Sequence, residues 1–183
     1  MKQGLYFIAI LPPPEIADKV QKIKKEFVEK YNSREAYRQP AHFTLQAPFR
    51  ILEADEEVII PPLLSFAQDQ NPFTVQLSGF NHFRDDVIFI DIEDPSEMKS
   101  LHRNLISFLQ NELDFTDGMI RNKNLMPHMT VAYRDLSTEK FHQAWAAFSS
   151  RSFDYFFKVN SFFLLKHDDK QWQPLQEFNL GDK

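Results

Sequence analysis

Two short segments of this chain carry the same pattern, His42-Phe43-Thr44-Leu45 and His128-Met129-Thr130-Val131. Each reads histidine, apolar, threonine, apolar, and each follows a proline: Pro40 two residues before the first histidine, Pro127 directly before the second. Extended backbone turns successive side chains to opposite faces, so the His and Thr of one segment share a face. The intervening apolar residues then turn the other way, into a core layer. Two such strands facing one cleft offer two titratable bases and two hydroxyl donors, a set suited to acid–base chemistry at a phosphate. An imidazole titrates near pH 6.5, so one ring can accept a proton while the other holds one. Like charges repel, which favours a single proton on the pair near neutrality. The Thr44 and Thr130 hydroxyls would donate to non-bridging oxygens, where transition-state charge gathers. A lone histidine on a half-buried strand is ordinarily just packed; a matched pair argues for a duplicated unit.

Other chemistries find little support. There is no cysteine, which removes thiolate catalysis, disulfides and cysteine-ligated metals and fits a reducing, cytoplasmic setting. Four glycines provide no phosphate-cradling loop, and neither a nucleophile elbow nor a zinc-binding spacing is present. No cofactor and no metal are therefore expected. His82 and His167 lie near strand ends without a matching Thr, and His102 and His142 sit on helices, where an exposed position is expected. The net charge of −5 argues against a broad nucleic-acid surface, though not against a local basic pocket for one phosphate. Arg50, Arg84, Arg121 and Lys123 read as solvated charges.

The elements that must position the motifs follow from periodicity. Leu5 to Leu11 is apolar on both faces, as in a central strand, and ends at Pro12-Pro13-Pro14. The run is too short to span a membrane and lacks the cleavage site of a signal peptide. From Glu15 the spacing turns helical, with Ala17, Val20, Ile23, Phe27 and Tyr31 on one stripe and Lys or Glu elsewhere. Residues 32–40 read as a loop and 41–49 as the first motif strand. Pro61-Pro62 predict the start of a short helix through about Gln68. Phe73 to Phe83 and Val87 to Ile92 form two strands around a turn at Arg84-Asp85-Asp86. A second amphipathic helix opens at Pro95-Ser96, with Met98, Leu101, Leu105 and Phe108 inward. A polar loop, 114–124, leads to the second motif strand at about 125–133. A helix starting at Ser137, then strands at 153–166 and 171–179, complete an α+β pattern.

On these residues the chain resembles the two-histidine (2H) phosphoesterase superfamily, which contains bacterial 2′-5′ RNA ligases and cyclic nucleotide phosphodiesterases. The resemblance rests on the two motifs, the second within Met126-Pro127-His128-Met129-Thr130-Val131-Ala132, and on their separation. Supporting it are Tyr6-Phe7-Ile8-Ala9-Ile10 running into prolines and Val87-Ile88-Phe89-Ile90-Asp91 preceding a helix. It implies a single bilobal LigT-like α+β domain over residues 1–183. Two antiparallel sheets with outer helices would be related by a pseudo-twofold, one His-x-Thr strand per lobe. It further implies a metal-independent enzyme acting on 2′,3′-cyclic or 2′-5′ phosphodiester ends of RNA or small nucleotides, by hydrolysis or by the reverse ligation.

By analogy with the family, His42 would be the acid and His128 the base, the reversed assignment remaining open. Thr44 and Thr130 would bind the phosphate. Many family members carry Arg five residues after the second His; here that position is Tyr133, and a regular strand would turn Arg134 away from the site. Tyr133, Arg134 and Phe49 stand as further candidates for substrate contact. The alternative is a non-catalytic module on the same fold that binds RNA ends or nucleotides. The sequence leaves the oligomeric state open.

Overall fold

Apolar residues on both faces make β1 (Gln3–Ile10) a central strand, flanked by β2 (Phe43–Leu52) and β7 (Ser161–His167), with β8 (Trp172–Asn179) outermost. The second sheet runs β5 (Met129–Ala132), β4 (Val87–Ile92), β3 (Phe73–Phe83), β6 (Asp154–Val159). All neighbouring strands pair antiparallel. The computed structural model describes residues 2–121 and 123–181; Met1, Asn122 in the loop 114–124, Asp182 and Lys183 lie outside it.

Both motif strands are edge strands, β2 beside β1 and β5 beside β4. Each is reached through a helix: α1 (Pro14–Tyr31) joins β1 to β2, and α3 (Ser96–Glu112) joins β4 to β5. The strand–helix–motif-strand unit thus occurs once per sheet. Helix α1 buries Val20, Ile23, Phe27 and Tyr31 as its period predicts. It stops at Asn32, whose left-handed φ of 55° lets its N–H return to the Phe27 carbonyl. Two polar residues depart from expectation. Lys24 is 1 % exposed and His102 is 2 % exposed, although the sequence pattern places both on solvated faces. Each lies four residues after a stripe residue, Val20 or Met98, and so falls on the inward side.

Two further expectations change. The helix α2 spans Glu56–Gln68 and holds Pro61 and Pro62 inside it, preceded by a 3-10 turn at Glu53–Asp55. The prolines forgo two N–H donors, but buried Ile59, Leu63, Phe66 and Ala67 fix that face to the core. The strand expected over 153–166 is two strands in different sheets. Phe153, Phe157 and Val159 are buried at odd positions and Phe162 and Leu164 at even ones, so the alternation slips at Asn160. There the chain leaves the second sheet for the first, and the Asn160 carbonyl accepts the Leu180 N–H at 2.8 Å.

One apolar cluster contains Ile8, Leu45 and Leu164 from the first sheet together with Leu77, Ile90 and Met129 from the second. Helix α4 (Thr138–Phe148) starts at Ser137, whose hydroxyl accepts the Lys140 N–H, and docks Phe148 into this cluster. The Phe148 ring meets Phe27, Tyr31 and Phe80, so one side chain joins α1, α4 and β3. Among the described residues no helix is long and apolar enough to cross a membrane. Phe148→Ala is expected to cost about 3–5 kcal/mol, read as a lower urea midpoint at unchanged m-value.

Candidate active site

His42 and His128 each stand one residue before their strands, and both are held the same way. His42 Nδ1 lies 2.8 Å from the Pro40 carbonyl, and His128 Nδ1 lies 2.7 Å from the Met126 carbonyl. A carbonyl only accepts, so Nδ1 carries the proton and Nε2 is the ring nitrogen left for a ligand. Aromatic edges brace both rings: Phe7 at 5.1 Å from His42, Phe83 at 4.9 Å and Phe89 at 5.4 Å from His128.

Strand alternation brings Thr44 and Thr130 to the same side as their histidines, and all four residues line one cleft of about 610 Å³. That size suits a nucleotide-sized ligand. Phe7 and Trp172 form an apolar wall, their rings edge-on at 4.5 Å. The β7–β8 turn, where Asp168 Oδ1 accepts the N–H groups of Lys170 and Gln171, delivers Lys170, Gln171 and Trp172 to the same cleft. Lys24, Arg38, Arg134 and Lys170 line it against a single carboxylate, Glu35. A chain of net charge −5 therefore presents a cationic cleft.

Burial pushes the His42 ring down to about 4, aided by repulsion from Lys24 and His128. Burial also lowers His128. Both rings are thus disposed to be neutral, His42 the more so. Lys24 lies beneath the first histidine. Its Nζ donates to the Gln39 carbonyl at 3.0 Å and to the Pro40 carbonyl at 3.2 Å, the latter being the oxygen that also receives His42.

Among the remaining candidates, Tyr133 lines the cleft and its hydroxyl accepts from Gln39 Nε2, which ties the second lobe to the loop before His42. Asp135 strengthens that tie, accepting from the Ser33 hydroxyl at 2.8 Å and the Arg34 N–H at 2.6 Å. Arg134 also lines the cleft, contrary to the regular-strand expectation: β5 ends at Ala132, and a φ of 62° turns Arg134 back over the Tyr133 ring. Phe49 is a correction. It is 4 % exposed, paired with Tyr6 across the sheet and packed on Phe115, because it shares the core-facing side of β2 with Phe43 and Leu45. Arg84 and Lys123 pair with Asp86 and Asp117 outside the cleft. Sequence reasoning missed Lys24, Gln39, Phe7 and Trp172. Only Lys24 carried a local signal, its helical phase. Among the described residues no group of three or more His, Asp or Glu is arranged to hold a metal ion.

Comparison with known proteins agrees with this architecture. The 2′-5′ RNA ligase superfamily matches residues 12–171. A protein of Oceanobacillus iheyensis named as a phosphoesterase is 28 % identical over 182 residues, covering 96 % of this chain and 98 % of its own. A similarly named protein of Bacillus cytotoxicus is 28 % identical over 185 residues, covering 99 % and 98 %. Among solved structures, E. coli LigT complexed with 3′-AMP aligns with a TM-score of 0.65 at 21 % identity, over 99 % of this chain and 100 % of that one. A protein of Thermus thermophilus gives 0.63 at 19 % identity, over 98 % and 100 %. At such identities the solved structures speak for the fold: two four-stranded antiparallel sheets with helices. With the family matched over most of its length, the chain belongs to the 2′-5′ RNA ligase superfamily.

Proposed function

We propose that the chain is a phosphoesterase of the 2H type, acting on 2′,3′-cyclic or 2′-5′ phosphodiester ends of RNA or small nucleotides through His42 and His128. The observation that carries this reading is the convergence of both His-Thr pairs in one cationic cleft, each ring oriented by the carbonyl two residues before it. Two bases with fixed tautomers can move protons on opposite sides of one phosphorus. The related protein E. coli LigT has been solved with 3′-AMP, NADP+, ATP and phosphate, ligands that share a phosphate. An apolar wall of Phe7 and Trp172 beside the cationic side chains suits a nucleoside phosphate better than a bare anion.

For hydrolysis of a cyclic phosphate, one imidazole takes a proton from water as its oxygen attacks phosphorus. The bond to a ribose oxygen breaks, and the other ring, as imidazolium, protonates that oxygen. Thr44 and Thr130 hydroxyls donate to the non-bridging oxygens. Proton exchange with solvent resets the pair, and the reverse course with a ribose hydroxyl as attacker forms the diester. The environments favour His42 as base and His128 as acid, the reverse of the family-based order. Burial and the neighbouring Lys24 oppose a proton on His42 more than burial opposes one on His128, so a proton entering the pair is taken up by His128. Arg134 and Tyr133 stand at the cleft as contacts for the outer part of the substrate.

His42→Ala and His128→Ala are each expected to lower kcat/KM for the preferred substrate by about 10²–10⁴. The assay sets 2′,3′-cyclic nucleotides against 2′-5′-linked dinucleotides in excess chelator. Near-parental turnover in either variant would refute the acid–base pair, and nucleotide binding without turnover by the parent would identify a binding module. In the parent, kcat/KM should rise with pH on a limb between about 4 and 6.5, where His42 loses its proton. A rising limb at pH 7 or above would place the base elsewhere. Arg134→Ala should raise KM several-fold while leaving kcat within about twofold, the pattern of a binding contact away from the reacting atoms.

A further inference from the structure

We propose that Lys24 is a positioning residue for the first histidine: its Nζ clamps the carbonyls of Gln39 and Pro40, the second of which also holds the His42 ring. This rests on the acid–base reading above and deepens it.

The geometry is specific. Lys24 projects from the middle of α1 and is 1 % exposed, yet among the described residues no carboxylate lies within ion-pair distance of its Nζ. Its partners are two backbone carbonyls. A methionine in this stripe position would fill the space without desolvating a charge. What the lysine adds is a donor for each of two consecutive carbonyls in the segment that delivers His42 to the cleft. A carbonyl oxygen has two lone pairs, so that of Pro40 can accept from both Lys24 and His42. Two donors on one oxygen weaken each other, and a nearby ammonium repels an imidazolium; both effects disfavour a proton on His42.

Burial brings Lys24 itself down to about 7. An ammonium has three N–H groups and an amine two, so either form can serve both carbonyls and the clamp outlasts the charge. The other charged or titratable groups of the cleft do not neutralise it. Glu35 is engaged by Arg38 at 2.6 Å, while Arg38, Arg134 and Lys170 are cationic, and His128, Tyr133 and His167 carry no negative charge near neutrality. The clamp also reaches the second motif, because the Gln39 amide donates to the Tyr133 hydroxyl three residues after Thr130. One network therefore connects Lys24, the Gln39-Pro40 segment, His42 and the end of the second motif strand.

The test is a histidine ring titration by NMR on the full chain, parent against Lys24→Met and Lys24→Gln. The glutamine variant keeps a donor without the charge and serves if methionine leaves two carbonyls too poorly satisfied to fold. Either folded variant should raise the His42 pKa by about half a unit or more and leave His128 nearly unmoved. The rising limb of kcat/KM should move to higher pH by the same amount, with KM changed less than kcat. An unmoved or lower His42 titration in a folded variant would overturn the proposal, even if activity fell. The titration needs no substrate, so it decides the role of Lys24 separately. A parent inactive on every phosphodiester screened would sink the functional reading and leave the titration result standing.

Discussion

The site depends on one repeated contact, a histidine Nδ1–H donating to the backbone carbonyl two residues upstream. It occurs at Pro40–His42 and at Met126–His128, with nearly equal lengths of 2.8 and 2.7 Å. The contact chooses the tautomer, aims Nε2 and lets the ring precede a strand instead of sitting within it. It is only as good as the backbone that supplies the carbonyl. On the first side Lys24, Gln39 and the Asp135 tie hold that backbone. On the second, the intervening residue is Pro127, whose ring fixes its own φ, and Phe83 and Phe89 confine the histidine ring. Two equivalent contacts are thus maintained by different means.

That difference makes the pair chemically unequal. A strict twofold would give two identical imidazoles with no reason for a proton to prefer either. Here burial lowers His42 and the charge of Lys24 lowers it further, whereas His128, resting among phenylalanines, is lowered by burial, so the symmetry of the fold is broken at the two rings. The cleft likewise departs from the molecule around it, cationic on a chain whose net charge is −5. Local composition, not the average, decides what such a surface attracts.

Much of this was legible in the sequence because the signals were periodic. The motifs alternate with period two, α1 and α3 show their stripes, and the turn at Arg84-Asp85-Asp86 separates two alternating runs. What escaped was set by position more than by residue type. Lys24 and His102 occupy inward helical positions although their types suggest solvent. Pro61 and Pro62 read as a helix start, yet packing around Leu63 and Phe66 carries the helix past them. Arg134 depended on where β5 stops, which a single φ of 62° decides. Phe49 lies in the core beyond two register shifts of β2 against β1, between Thr44 and Gln46 and between Gln46 and Phe49, which the sequence pattern does not reveal. Trp172 and Phe7 lie far from the motifs in sequence, and only sheet pairing brings them to the histidines.

The crossing at Asn160 bears on how a ligand enters. A single residue separates β6 in one sheet from β7 in the other, and its carbonyl is already bonded to Leu180. A joint of that length holds the two sheets close at this point, and a core common to both resists their parting. The walls of the cleft are therefore backed by one packed interior. Adjustment to the shape of a ligand falls most readily to the rim, where Arg134 and Lys170 line the cleft.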